Sequence, residues 1–201
     1  MTQLVAKPAP DFTSAAVLAD GTIVEDFNFT EWRNGRHALV LFYPLDFTFV
    51  CPSELIALHH RMKEFEDRGV AVCTVSVDSH FTHNAWRNTA INDGGIGAVD
   101  YPMVADINHA ICQAYGVELE EAGVAFRGSF ITDKDGIVHH ASVNNLPIGR
   151  DIDELLRLVD ALQFHEEHGE VCPAGWQKGK AGMTDTPDGV AAYLAENSEG
   201  L

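Results

Sequence analysis

At 201 residues, 46% of them apolar, the chain is long enough for one well-cored domain and short for two. Its formal net charge of -17 is spread along the sequence with no basic cluster, which argues against nucleic acid or an anionic membrane as partner. The first residues hold no apolar stretch of signal-peptide length and nothing later approaches the ~20 apolar residues of a membrane span, so a cytoplasmic protein is expected.

Pro8 and Pro10 open the chain, and residues 12–29 suggest two short strands turning at Asp20-Gly21. After Trp32 and an Asn34-Gly35 turn, residues 37–43 form a short run of large apolar residues, a buried strand ending at Pro44. A helix is expected over residues 53–68, where Leu55, Leu58, Met62 and Phe65 recur at helical spacing and Gly69 suits the stop. Pro52 fits only the first turn of that helix, so Cys51 sits at or just before its N-terminus. Residues 70–77 read as a strand, 78–88 as a loop and helix, 101–105 as a strand and 109–115 as a short helix. Residues 126–132 and 137–143 form a hairpin turning at Asp133-Lys134-Asp135-Gly136. Residues 151–167 are the best amphipathic helix, with Ile152, Leu155, Leu156, Val159, Leu162 and Phe164 on one face. Beyond it Gly and Pro become frequent. The expected organisation is an α/β domain over residues 1–165 and a tail over 166–201.

The four cysteines, Cys51, Cys73, Cys112 and Cys172, form no Cys-x-x-Cys pair, which favours catalytic or buried thiols over permanent bridges. Cys73 lies inside a strand pattern and Cys112 inside a short helix, and both are read as structural. Cys51 is placed differently. Only the thiolate is nucleophilic, and the unpaired N–H groups of a helix N-terminus favour negative charge. Thr48, three residues earlier, brings a hydroxyl that donates or accepts. Full ionisation of an ordinary thiol at pH 7 gains only ~30-fold in thiolate, so efficient chemistry also needs groups that stabilise the transition state. Gly94-Gly95-Ile96-Gly97 lacks the Lys-Ser/Thr of a phosphate loop and reads as an ordinary loop. The histidines at His59-His60, His80-x-x-His83, His139-His140 and His165-x-x-His168 join no cysteines at zinc-site spacing, so no metal and no cofactor are expected.

Pro44-x-x-x-Thr48-x-x-Cys51, within Phe42-Tyr43-Pro44-Leu45-Asp46-Phe47-Thr48-Phe49-Val50-Cys51-Pro52-Ser53-Glu54, resembles the active-site motif of the typical two-cysteine peroxiredoxins. Arg127-Gly128-Ser129-Phe130-Ile131-Thr132-Asp133 resembles the family segment whose arginine sits beside the reactive thiolate. Ile148-Gly149-Arg150 resembles the position whose arginine, with Glu54, braces it. Val171-Cys172-Pro173-Ala174-Gly175-Trp176 is similar to the segment of the resolving cysteine. The resemblance implies a thioredoxin-like α/β fold, αβα layers around a central mixed β-sheet, with an extended C-terminal tail. It further implies Cys51 as the peroxidatic cysteine, supported by Pro44, Thr48 and Arg127, and a disulfide between Cys51 of one subunit and Cys172 of another. Hydrogen peroxide and organic hydroperoxides would be the substrates, thioredoxin or a dedicated flavoprotein the reductant, and a homodimer, commonly in a ring of five dimers, the assembly. A rival of another class is a holdase chaperone or redox relay on the same scaffold; a chaperone needs neither thiol. Members sensitive to over-oxidation carry a Gly-Gly-Leu-Gly loop and a C-terminal Tyr-Phe pair; here Ile96 and Tyr193-Leu194 stand in those places.

Overall fold

In the computed structural model, which describes residues 3–200, the chain divides into two compact units, Met1–Ile152 and Asp153–Leu201. The division falls at the first turn of the long amphipathic helix, whereas the shift to Gly and Pro that suggested 165/166 comes only at its end.

The first unit opens with the expected hairpin, β1 (Thr13–Val17) and β2 (Ile23–Asn28). Its turn is closed by Thr22 N–H donating to Asp20 Oδ1 at 2.8 Å, with Gly21 at the positive φ of 89° that favours glycine. A helix not read from the sequence follows, α1 (Phe29–Arg33). Asn28 caps it through Oδ1, which accepts from Glu31 N–H at 2.8 Å. Five residues are too few for a periodic signal. β3 (His37–Phe42) then enters the sheet, with every residue buried.

The helix expected over 53–68 is two helices, α2 (Cys51–His59) and α3 (Met62–Asp67). At the junction Arg61 N–H donates to Leu58 O at 2.9 Å, a tighter turn than the α-helical one, and Arg61 leaves helical geometry at φ -109°, ψ 3°. Leu55, Leu58, Met62 and Phe65 are all buried, so the apolar face runs through the break and hides it from pattern reading. Next come β4 (Val70–Ser76), α4 (His80–Asn88), β5 (Met103–Ala105) and α5 (Ala110–Ala114). Two short strands that alternation could not reveal, β6 (Glu118–Leu119) and β7 (Val124–Ala125), precede β8 (Arg127–Thr132) and β9 (Val138–Asn144).

The main sheet has seven strands in the order β2-β1-β5-β4-β3-β8-β9. Its β5-β4-β3 centre is parallel and its flanks are antiparallel, the mixed sheet that the resemblance implied. β3, β4 and β8 are buried at every position, as strands covered on both faces must be. Beneath them Phe42 packs against Tyr115 and Phe130 with ring centroids 5.0 and 5.8 Å apart, and Cys73 lies in the same core. The sheet thereby fixes where β3 ends and β8 begins.

The second unit holds α6 (Ile152–His168), whose first residue closes the first unit, and α7 (Pro187–Asn197). Leu155, Leu156, Val159 and Leu162 are buried. The tail carries hydrogen bonds of its own. Val171 and Met183 exchange backbone hydrogen bonds at 2.9 Å, and Thr186 caps α7 by accepting from Gly189 N–H at 3.1 Å.

Candidate active site

β3 delivers the chain to Pro44, which is buried and has no N–H to offer. The loop then turns sharply at Phe47, a non-glycine residue at φ 53°, a left-handed conformation that a β-carbon resists. That turn brings Thr48 back towards Cys51, the first residue of α2. The Cys51 thiol is fully buried. Thr48 Oγ1 lies 3.1 Å from Cys51 Sγ and 2.8 Å from Leu45 O. A hydroxyl has one hydrogen. It goes to the carbonyl when the sulfur carries its own proton, and to the sulfur when that proton has left.

Arg127, the first residue of β8, reaches the same sulfur: its Nη1 stands 3.4 Å from Cys51 Sγ and 2.7 Å from Glu54 Oε2. Arg127 Nε donates to Leu146 O at 2.8 Å, so the guanidinium plane is held on two edges. Glu54, one turn into α2, receives four N–H groups. Arg150 N and Nε donate to Oε1 at 2.9 and 2.8 Å, and Arg150 Nη2 joins Arg127 on Oε2 at 3.1 Å. Arg150 Nη1 also donates to Phe42 O at 2.8 Å and Gly128 O at 2.7 Å, tying the end of β3 to the start of β8. Burial pushes the Arg150 guanidinium below its ordinary value and Glu54 opposes it.

The arithmetic of charge is simple. Two guanidinium cations and one carboxylate, all almost wholly buried, leave one positive charge, and a Cys51 thiolate cancels it. Burying an unbalanced charge is costly, so the group is electrically complete with the thiolate present. Two glycines next to these arginines have little room for a side chain. A β-carbon on Gly128 would lie 2.9 Å from Val117 Cγ1, and one on Gly149 3.3 Å from Val50 Cγ1.

Sequence reasoning missed the network that holds the loop from its other side. Asp46 Oδ1 accepts from Tyr43 Oη–H at 2.7 Å, and His83 Nδ1 lies 2.7 Å from Asp46 Oδ2. His83 Nε2 lies 3.2 Å from Val104 O, and Asp46 N–H donates to Asp78 Oδ2 at 2.9 Å. Burial and Asp46 push the Tyr43 hydroxyl well above its ordinary value, so it stays a donor. The one local hint was an aspartate beside an apolar strand end, which has to find partners.

Burial pushes the thiols of Cys73 and Cys112 up. Cys172 is half-buried, burial pushes it up and Arg157 pulls it down. Its Sγ donates to Ala161 O at 3.4 Å, and the nearby Trp176 carbonyl accepts from Arg157 Nη1 at 2.9 Å. Among the described residues none of the four histidine pairs gathers three ligating groups.

Residues 5–141 match the profile of the AhpC/TSA family, and residues 161–196 that of the C-terminal domain of 1-Cys peroxiredoxin. The second match spans Cys172. The chain is 52% identical to an alkyl hydroperoxide reductase C of Helicobacter pylori, covering 97% of this chain and 98% of that one. It is 49% identical to peroxiredoxin-1 of Gallus gallus over 87% of each. The crystal structure of reduced Plasmodium vivax 2-Cys peroxiredoxin superposes with a TM-score of 0.93 at 45% identity, covering 96% of this chain and 100% of that one.

Proposed function

This chain belongs to the AhpC/TSA family and is a peroxidase of the two-cysteine peroxiredoxin type, and from that premise we propose that Cys51 is its peroxidatic and Cys172 its resolving cysteine. The Cys51 thiolate attacks the terminal oxygen of the hydroperoxide. The S–O bond forms as the O–O bond breaks, leaving a sulfenic acid and an alkoxide or hydroxide that takes a proton to become alcohol or water. Thr48 donates to the sulfur and accepts from the incoming peroxide hydroxyl. Arg127 holds the thiolate and the developing oxygen charge, while Glu54 and Arg150 position Arg127 and Pro44 shapes the loop. The observation that carries this reading is the charge balance of Cys51, Glu54, Arg127 and Arg150.

In the second step the Cys172 thiol of another subunit attacks the sulfenic sulfur and water departs, leaving an intersubunit disulfide. Cys51, fully buried, must first leave its place. Val50, which precedes α2, gives it no side-chain cap, so its first turn is the natural part to unwind. A thioredoxin-type or flavoprotein disulfide reductant restores the thiols, which suits a reducing compartment, the cytoplasm. Phe49 and Phe81 are 95% and 68% exposed, large apolar side chains of the kind that assembly covers, in keeping with a homodimer built into a ring of five.

Peroxide consumption with thioredoxin and a flavoprotein reductase supplied one at a time tests the proposal. Cys51→Ser removes all turnover; Cys172→Ser consumes about one peroxide per subunit and stalls. Mass spectrometry of the oxidised protein finds Cys51 linked to Cys172. A link through Cys73 or Cys112, or turnover by Cys51→Ser, overturns the assignment.

A further inference from the structure

Away from the peroxide site, α5 and β6 bring together three side chains that peroxide reduction does not use. His109 Nδ1 lies 2.7 Å from Glu118 Oε1, and Cys112 Sγ donates to His109 O at 3.3 Å. The imidazole nitrogen, the sulfur and the carboxylate oxygen all lie within 4.8 Å of one another. We propose that His109, Cys112 and Glu118 form a binding site for a zinc ion.

The donor set is one nitrogen, one sulfur and one oxygen, a mixture that suits zinc. Zinc bonds of about 2.0–2.3 Å in a tetrahedron place ligand atoms ~3.3–3.8 Å apart. The His109–Glu118 contact of 2.7 Å is shorter than that range and all three atoms lie within 4.8 Å of one another, so side-chain torsions close the site with shifts of about an ångström. His109 and Cys112 stand one helical turn apart, the spacing that puts two ligands on one side. His109 itself holds the left-handed φ of 63°, which turns its ring back towards Glu118. Asp106 fixes the turn by accepting from Ile111 and Cys112 N–H at 2.9 and 2.7 Å, the support that metal ligands need. Glu118 is held from the far side by pairing with Ala125.

An ion pair alone would explain His109 and Glu118, and a core filler alone would explain a buried thiol. Neither explains their meeting. Cys73 shows what a filler looks like, since burial is the only influence on its thiol. Cys112 is 1% exposed, yet its sulfur lies within 4.8 Å of the imidazole nitrogen and the carboxylate oxygen. A thiol and a carboxylate this close together beside an imidazole are a donor set that a cation can draw together. The His109 and Glu118 side chains are 26% and 12% exposed, which gives zinc a way in and leaves the fourth corner to water. On binding, Cys112 releases its thiol proton to solvent, and the Nδ1 proton shared with Glu118 gives way to the metal, the imidazole keeping one proton on Nε2. Uptake is therefore accompanied by proton release and weakens as pH falls.

The test is calorimetric titration of Zn2+ alone into reduced, chelator-treated full-length protein. The expected result is one ion per chain, bound in the parent, in Cys51→Ser and in Cys172→Ser. His109→Gln and Glu118→Gln, which touch no core packing, each weaken it beyond the ~10- to 100-fold that a supporting residue costs. Co2+ in place of zinc gives a thiolate-to-metal charge-transfer band that disappears in Cys112→Ser, and the glutamine variants decide the matter if that variant fails to fold. Absence of uptake, uptake unchanged in both glutamine variants, or uptake lost with Cys51→Ser or Cys172→Ser overturns the proposal.

Discussion

Replacing Arg127 with alanine removes the cation whose Nη1 stands 3.4 Å from the Cys51 sulfur and one of the four N–H donors on Glu54. Unit charges 3.4–4.5 Å apart attract by about 4–5 kcal/mol at an effective dielectric of ~20. Water entering the vacated space returns part of this, so the barrier to peroxide attack rises by about 2–4 kcal/mol, ~30- to ~1000-fold in rate. Charge balance gives the same sign. Without Arg127 the carboxylate of Glu54 and the guanidinium of Arg150 already cancel, and a thiolate becomes the unpaired charge. Arg127→Lys recovers only part of the rate, because one ammonium cannot reproduce the planar fork that serves Leu146 O, Cys51 and Glu54 together. Stopped-flow measurement of the first turnover in a Cys172→Ser background isolates the peroxide step. An alanine variant within threefold of its parent would refute the role of this contact.

Thr48→Val keeps the shape and loses the hydroxyl 3.1 Å from the sulfur, so the same assay should slow by ~100-fold or more, with Thr48→Ser close to the parent. Gly128→Ala places a β-carbon 2.9 Å from Val117 Cγ1 and 3.1 Å from Phe130 Cε2; the overpacking costs about 1–3 kcal/mol in denaturant titrations, and an unchanged midpoint would contradict it. Burial pushes the Asp11 carboxyl up, but the Thr30 hydroxyl, the Asn28 amide and the Thr30 N–H outweigh it and hold the group below its ordinary 3.8. Being depressed, it contributes stability that is complete above that value and is lost as pH falls through the lower folded one. Asp11→Ala therefore melts earlier than the parent at pH 7, and the gap closes in acid below 3.8; a gap independent of pH would argue against the linkage. Iodoacetamide should leave the core thiol of Cys73, pushed up by burial, unlabelled until the protein unfolds, and peptide mapping that finds it labelled as fast as Cys172 would count against that burial.

Most of the strands were legible because their signals are local. The run 37–43, the Asp20-Gly21 turn and the Asp133–Gly136 turn each announce themselves within a few residues, and β3, β1–β2 and β8–β9 follow. The placement of Cys51 at a helix start was readable from Pro52 alone. Thr48, Arg127, Glu54 and Arg150 were named through motif resemblance, and no periodicity would have joined residues so far apart in the chain. Tertiary structure decided what depends on distance and direction. It split the helix at His60-Arg61 beneath an unbroken apolar face, bent Phe47 into a left-handed turn, and set Arg150 as the tie between β3 and β8. It also placed His109 and Cys112 beside Glu118 through a β6–β7 pairing too short to leave a pattern. Local chemistry is written in neighbouring residues; the balance of charge around one sulfur exists only once the sheet has brought its four contributors together.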